Sequence, residues 1–181
     1  AALSGVLGVM LMAGVGFDPV LGTLGGVAVG AAAGLVNGLL VSVVGLPPFI
    51  ATLGMLSVAR GLVLIATRAV AVFGAPDALR ILGQGVMGPL PVPIVLIVLV
   101  ALGGHIVLTR TRLGRYAYIM GSNMEAARLS GVAVKKHLTS VYVLSGALAG
   151  LGGMIAASRI NSGQPNFGEG LELDVIAAVV I

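Results

Sequence analysis

Side chains able to do chemistry are few in this chain, and most stand apart. The two histidines, His105 and His137, have no cysteine and no paired carboxylate nearby, so neither has a partner set for metal ligation or acid–base work. The serines lack a His–acid partner, which leaves nucleophilic catalysis without support. A phosphate loop needs Gly-x-x-x-x-Gly-Lys-Ser/Thr, so that backbone N–H groups and one lysine can hold phosphates. The only lysines are Lys135 and Lys136, followed by His137. The chain therefore cannot hydrolyse ATP by that route, and any energy for uphill work must come from a partner or an ion gradient. The absence of cysteine also removes disulfides and thiolate metal sites. No cofactor is called for. What remains is a concentration of charge: residues 110–137 hold six of the ten basic residues and one of the six acids.

That concentration stands in a chain that is 58% hydrophobic and only 9% charged, with a mean hydropathy of +1.14. Soluble domains carry about 25% charged residues. Runs almost without charge occur at 1–17, 19–59 and 81–104. A bilayer core of about 30 Å asks a helix for about 20 such residues. The alternation that marks a membrane barrel is absent. The expectation is an all-α membrane protein, a polytopic bundle in contact with lipid. Spans are expected at about 1–16, 20–44, 49–67, 91–109 and 138–158, in a single transmembrane domain. Pro19 and the "GLPP" of 45–48 mark the breaks. Residues 69–90 read as a loop with a short surface helix, 159–170 as a polar loop, and 171–181 as the start of another apolar element. The chain begins without Met, carries no basic leader, and stops inside an apolar run, so it reads as an internal piece of a longer protein.

Orientation follows from the basic residues, since short cytoplasmic loops are enriched in Lys and Arg. Residues 110–137 sum to +5 (six basic, one acid) and the rest of the chain to −1 (four basic, five acids). That stretch is placed in the cytoplasm. The 159–174 segment, with Arg159 against Glu169, Glu172 and Asp174, then lies outside. Counting back puts 69–90 outside and 45–48 inside. Because the basic residues are localised, orientation in a membrane explains the pI of about 10.1 better than nucleic acid does.

Packing and a solute path have their own candidates. Gly22, Gly26, Gly30, Gly34 and Gly38 recur every four residues along one helix face. Helices in lipid gain no hydrophobic energy from association, so close backbone approach has to supply dispersion contacts. Tight packing is the preferred reading of this stripe, with a channel wall as the other. Ser145, Ala149 and Gly153 suggest a matching stripe on the fifth span. Asn37, Thr52 and Ser57 are uncharged polar residues inside spans. They line a path for a hydroxyl-rich solute, or they hydrogen-bond neighbouring helices. Arg60 is the one ionisable residue well inside a span, and it either belongs to that path or snorkels to the outer headgroups. No Asp or Glu lies within a full span, which argues against proton or sodium coupling.

Within the charged stretch, "NMEAARLSG" places helix formers between Asn123, the expected N-cap, and Gly131, the expected C-terminal stop. Glu125 suits the positive end of the helix dipole, and Arg128 follows a turn later. At about seven residues the helix cannot cross a membrane and is not stable alone. It must rest on the membrane surface or dock into another protein.

The segment Glu125-Ala126-Ala127, followed by Gly131, resembles the Glu-Ala-Ala-x-x-x-Gly motif of permease subunits in bacterial ABC importers, in particular those for ribose and related simple sugars. The stretches 37–62, 113–132 and 164–181 also resemble that family, in its order. The tail departs from the pattern: 141–144 read Val-Tyr-Val-Leu where such permeases often carry a proline. The resemblance implies a coupling helix made of Glu125, Ala126, Ala127, Arg128 and Gly131, seated in a groove of a cytoplasmic ATPase subunit. The alanines would allow close approach, and Glu125 and Arg128 would pair with charges on the ATPase. It further implies a periplasmic sugar-binding protein, a second permease copy or homologue, and residence in the bacterial inner membrane. A branched-chain amino-acid permease shares the motif, and an ion-coupled carrier is the alternative from another class.

Overall fold

The two prolines that punctuate the sequence also start helices. A computed structural model describes residues 1–180, so Ile181, which closes the sixth apolar element, lies outside the described residues. Helix α1 runs Ala2–Val15, and α2 runs Pro19–Leu39. Pro19 occupies the first position of α2, where its missing N–H costs nothing, and the Asp18 carboxylate accepts from the Val20 N–H at 3.1 Å. A π-helical turn, Leu40–Val44, extends α2. Helix α3, Pro48–Thr67, again opens on proline. Then come α4 (Asp77–Gln84), a hairpin of two short strands, β1 (Val86–Met87) and β2 (Leu90–Pro91), and α5 (Val92–Arg110). The hairpin is antiparallel, with Val86 opposite Pro91 and Met87 opposite Leu90.

The charged stretch is more ordered than its composition implies. Instead of one short helix in a loop it holds two, α6 (Arg112–Ser122) and α7 (Met124–Leu129). Its last residues already belong to α8 (Val134–Ile160), so Lys135, Lys136 and His137 sit in the first turns of that long helix. Helix α9 spans Leu171–Val180.

Among the described residues, four helical stretches are long and apolar enough to cross a bilayer: Pro19–Val44, Pro48–Thr67, Val92–Arg110 and Val134–Ile160. Helix α1, at 14 residues, is shorter; it measures about 21 Å by helical rise, less than the hydrocarbon thickness. Large apolar side chains face outward along the spans: Ile65 of α3 is 77% exposed and Ile97 of α5 is 66% exposed. In water such surfaces would drive aggregation; against lipid they are at home. The chain is a polytopic helical membrane protein.

The bundle is centred on α2 and α8, which run antiparallel. Gly22, Gly26, Gly30, Gly34 and Gly38 are all buried. A Cβ on Gly30 would lie 2.8 Å from the Gly150 Cα, and one on Gly146 would lie 2.8 Å from the Gly34 Cα. Both distances are below contact, so neither helix tolerates a side chain there. The stripe is thus a packing face, as the four-residue spacing suggests. Its counterpart on α8 differs from expectation. Gly146 and Gly150 meet α2, whereas Ser145 and Ala149 are exposed. Neighbouring helical positions point about 100° apart, so a stripe displaced by one residue faces another way. Gly153 does take part, but against Ala1 at the start of α1.

At one end of the bundle, Val9 and Met12 of α1, Ala75 and Leu79 around α4, and Met154 and Ala157 of α8 form a small apolar core, with Val72 packed on it. The flexible Met154 thioether fills the junction beside Gly8 and Gly26. Helix α4 is tied down by polar contacts. The Ser158 hydroxyl donates to the Leu79 carbonyl at 2.5 Å, and the Gln84 amide donates to the Arg159 carbonyl at 2.7 Å. Val72 and Gly163 exchange two backbone hydrogen bonds, 2.9 and 2.8 Å long, which join the segment after α3 to the loop after α8. Helices α6 and α7 lie at the other end of α8, where the Tyr116 ring packs 4.6 Å from His137, tilted by 52°.

Candidate functional site

Helix α7 is short, and local hydrogen bonds define both of its ends. The Asn123 side chain accepts from the Ala126 N–H at 3.0 Å, capping the start. At the finish Gly131 has φ 78°, its N–H donates to the Arg128 carbonyl at 3.0 Å, and the Val132 N–H donates to the Ala127 carbonyl at 3.1 Å. Ser130 adds a side-chain bond to the Ala126 carbonyl at 2.8 Å. The terminal groups of a six-residue helix would otherwise go unpaired.

The faces of α7 are unequal. Glu125, Ala126 and Arg128 are exposed, and Leu129 is 82% exposed. Neither Glu125 nor Arg128 takes part in an ion pair among the described residues. Ala127 is 0% exposed. This corrects one expectation: a residue covered by its own chain does not admit a partner, so the small side chain of Ala127 lets α7 approach its own scaffold. Ala126 keeps the outward position. His137 is not isolated either, because its ring holds Tyr116 of α6 against the start of α8.

The path candidates separate by environment. Asn37 is partly buried on α2, and its Oδ1 is buried with no hydrogen-bond partner among the described residues. Thr52 and Ser57 are exposed on α3. Their hydroxyls donate to carbonyls of their own helix, Pro48 at 2.9 Å and Leu53 at 3.3 Å, rather than to a neighbouring helix. Arg60 does more than reach for headgroups: its guanidinium lies 3.2 Å from the Glu169 carboxylate. Sequence reading placed Glu169 only in a polar loop. The one shared feature in the sequence is that both fall on the outer side of the membrane in the expected topology. Ser57 and Arg60, three apart, share a helix face.

A six-residue capped helix with a bare charged face thus stands at one end of a glycine-packed bundle of spans. The sequence matches the family described as the branched-chain amino acid transport system / permease component over residues 1–181.

The chain belongs to this family.

Relatives of the permease carry sugar names. The xylose transport system permease protein XylH of Escherichia coli (strain K12) is 44% identical over 91 residues, 50% of this chain and 23% of that protein. The ribose import permease protein RbsC of the same strain is 48% identical over 91 residues, 50% of this chain and 28% of its own length. The ribose import permease protein RbsC of Bacillus subtilis (strain 168) is 40% identical over 102 residues, 56% of this chain and 32% of that protein. The matched stretches thus span less than a third of these curated relatives. No solved structure matches the permease.

Proposed function

We propose that this chain is membrane-spanning machinery of an ATP-driven importer that moves a ribose-like monosaccharide across the bacterial inner membrane. The single observation that carries the reading is 40–48% identity to ribose and xylose permeases over half the chain. The described helix α7 supports it, because an importer without its own ATPase needs a rigid element on which an ATPase can act. The charge of 110–137 puts α6 and α7 in the cytoplasm, and α4 with the 161–170 loop outside.

In this reading the permease does no bond chemistry. ATP is hydrolysed on a separate cytoplasmic subunit that grips the exposed face of α7: Glu125, Ala126, Arg128 and Leu129. Closure of the ATPases moves α7. The motion passes to α8 through the Tyr116–His137 packing and the short turn at 130–133, and from α8 to α2 across the glycine contact. A packed interface of this kind moves as a unit rather than deforming. A periplasmic sugar-binding protein delivers solute at the outer end, and a second permease copy or homologue completes the path.

A second reading is transport of branched-chain amino acids, which the family description favours. Uptake separates the two. The permease, assembled with its ATPase and binding protein in proteoliposomes, is offered labelled ribose, xylose or leucine with ATP inside. The proposal expects ATP-dependent pentose uptake that survives collapse of ion gradients. Leucine uptake without pentose uptake sinks it, and so does pentose uptake driven by an ion gradient without ATP.

A further inference from the structure

Helix α6 is locked beside the end of a membrane span. One residue, Thr111, separates it from α5. The Thr111 hydroxyl donates to the Val107 carbonyl at 2.6 Å, and its oxygen accepts from the Gly114 N–H at 3.4 Å. A Cβ on Gly114 would run into the Leu108 backbone, so the first turn of α6 folds back against the last turn of α5. Leu108 lies two residues before the end of α5, about 3 Å by helical rise. A second contact falls at the end of another span. Tyr116 packs on His137, in the first turns of α8. Thr139, just beyond, shares a 2.8 Å hydrogen bond with Ser42 in the π-helical turn that ends the second span. The face that α6 turns away from the bundle has its own composition. Gly114 and Met120 are buried, while Arg112, Arg115 and Ile119 share the exposed side at i, i+3 and i+7. Tyr118 stands beside them, 68% exposed, and Ile119 is 45% exposed. Arg110, the last residue of α5, is exposed too. None of the three arginines is in an ion pair among the described residues. The sequence has no acid between Asp77 and Glu125 to supply one locally. One turn back along α5, Ile106 is exposed on the lipid-facing span.

We propose that this face of α6 binds an anionic phospholipid of the leaflet it lies on, by charge the inner one. Arg110, Arg112 and Arg115 hold the headgroup phosphate, and Tyr118 and Ile119 dip into the layer below. A phosphate is an anion that only accepts, and a guanidinium meets two of its oxygens with parallel N–H donors. Tyrosine suits the boundary, with its ring in the apolar layer and its hydroxyl among headgroups. A zwitterionic headgroup brings its own cation toward the arginines, so it binds less well. The surface is continuous with the lipid-facing side of α5, and a soluble protein would have to displace headgroups to reach it. Helix α7, beyond the extended backbone of Asn123, is the part left open to such a partner. The lipid thus fixes α6 while α7 stays free to be moved. The site itself needs no solute and does not rest on the importer reading.

The test uses the native absence of tryptophan. Ile119→Trp puts one fluorophore in the middle of the exposed face. The whole chain is reconstituted in nanodiscs of phosphatidylcholine with a minor share of phosphatidylglycerol. Bromine on acyl chains quenches tryptophan at contact, and the same amount of brominated lipid is supplied as one lipid or the other. Brominated phosphatidylglycerol should quench several-fold more than brominated phosphatidylcholine. Arg110→Gln, Arg112→Gln and Arg115→Gln together should bring the two lipids to equality. Arg112→Lys with Arg115→Lys keeps the charges and should keep part of the preference, which a simple folding defect would not do. No quenching by either lipid, as when a protein covers this face instead, overturns the proposal. Equal quenching by the two lipids in the Ile119→Trp protein overturns the phosphate site. A preference that survives the glutamine substitutions, or one that the lysine pair loses as fully, overturns the role of the arginines. Pentose uptake plays no part in this readout, so failure of the importer reading shows separately.

Discussion

Gly34 and Gly146 face each other across the α2–α8 contact, so close that a Cβ on Gly146 would stand 2.8 Å from the Gly34 Cα. The contact has no side chain to yield, because both sides are backbone. Gly146→Ala is therefore expected to destabilise the bundle by about 1–3 kcal/mol, the usual range for overpacking. Gly146→Leu should prevent assembly. Gly54→Ala on α3, where a Cβ meets nothing within 4 Å, should leave stability within about 0.5 kcal/mol of the parent. Thermal unfolding in detergent compares the three, and a Gly146→Ala protein as stable as Gly54→Ala would refute the packing account.

Ala126 and Ala127 are neighbours with opposite surroundings, one exposed and one fully covered. Ala127→Leu is expected to push α7 off its scaffold, lowering stability by about 1–3 kcal/mol before any partner is involved. Ala126→Leu should leave melting unchanged and weaken capture of the ATPase subunit. If Ala126→Leu melts early and Ala127→Leu does not, the assignment of faces is reversed.

Asn123 caps α7 through its side chain and the Ala126 N–H. Asn123→Ala should cost about 1 kcal/mol of helix stability, while Asn123→Asp should cost little and adds charge at the favourable end. Read as ATPase capture and as ATP-driven uptake, Asn123→Ala should lower both and Asn123→Asp should preserve both. Equal loss in the two variants would mean that the amide itself, not the cap, is needed.

The parts of this fold that could be read from sequence are those set by local rules. Pro19 and Pro48 opened helices where a missing N–H is harmless, and the five glycines of α2 lay on the face their spacing dictates. Asn123 and Gly131 bounded α7 because caps are local chemistry. The parts that could not be read depend on distant neighbours. Residues 112–122 mix arginines, tyrosines and glycine without an apolar run, and they read as loop. Burial of Gly114 and Met120 and the packing of Tyr116 on His137 make them a helix. Small residues on α8 form more than one stripe, and only the position of α2 selects Gly146 and Gly150 over Ser145 and Ala149. Glu169 carried no periodic signal linking it to Arg60, since a loop has no face.

Ser158 and Leu79 supply the last test, because their hydrogen bond is the buried polar link between α4 and the end of α8. Both residues are at most 2% exposed, so the Leu79 carbonyl has no water to replace the serine hydroxyl. Ser158→Ala leaves that carbonyl only its bond within α4, and losing one hydrogen bond between the helices costs about 0.5–1.5 kcal/mol. The loss falls locally, since α2 and α8 remain packed through their glycines. Helix α4 should therefore loosen while the bundle stays folded: protease cleavage between 77 and 84 should quicken several-fold, with little change in the main thermal transition. Gly83→Leu should act similarly, as a Cβ there would lie 2.7 Å from the Arg159 nitrogen. Ser158→Thr, which keeps the hydroxyl, should resist cleavage better than Ser158→Ala. If Ser158→Ala and the parent are cut at the same rate, apolar contact through Leu79 alone holds α4 in place.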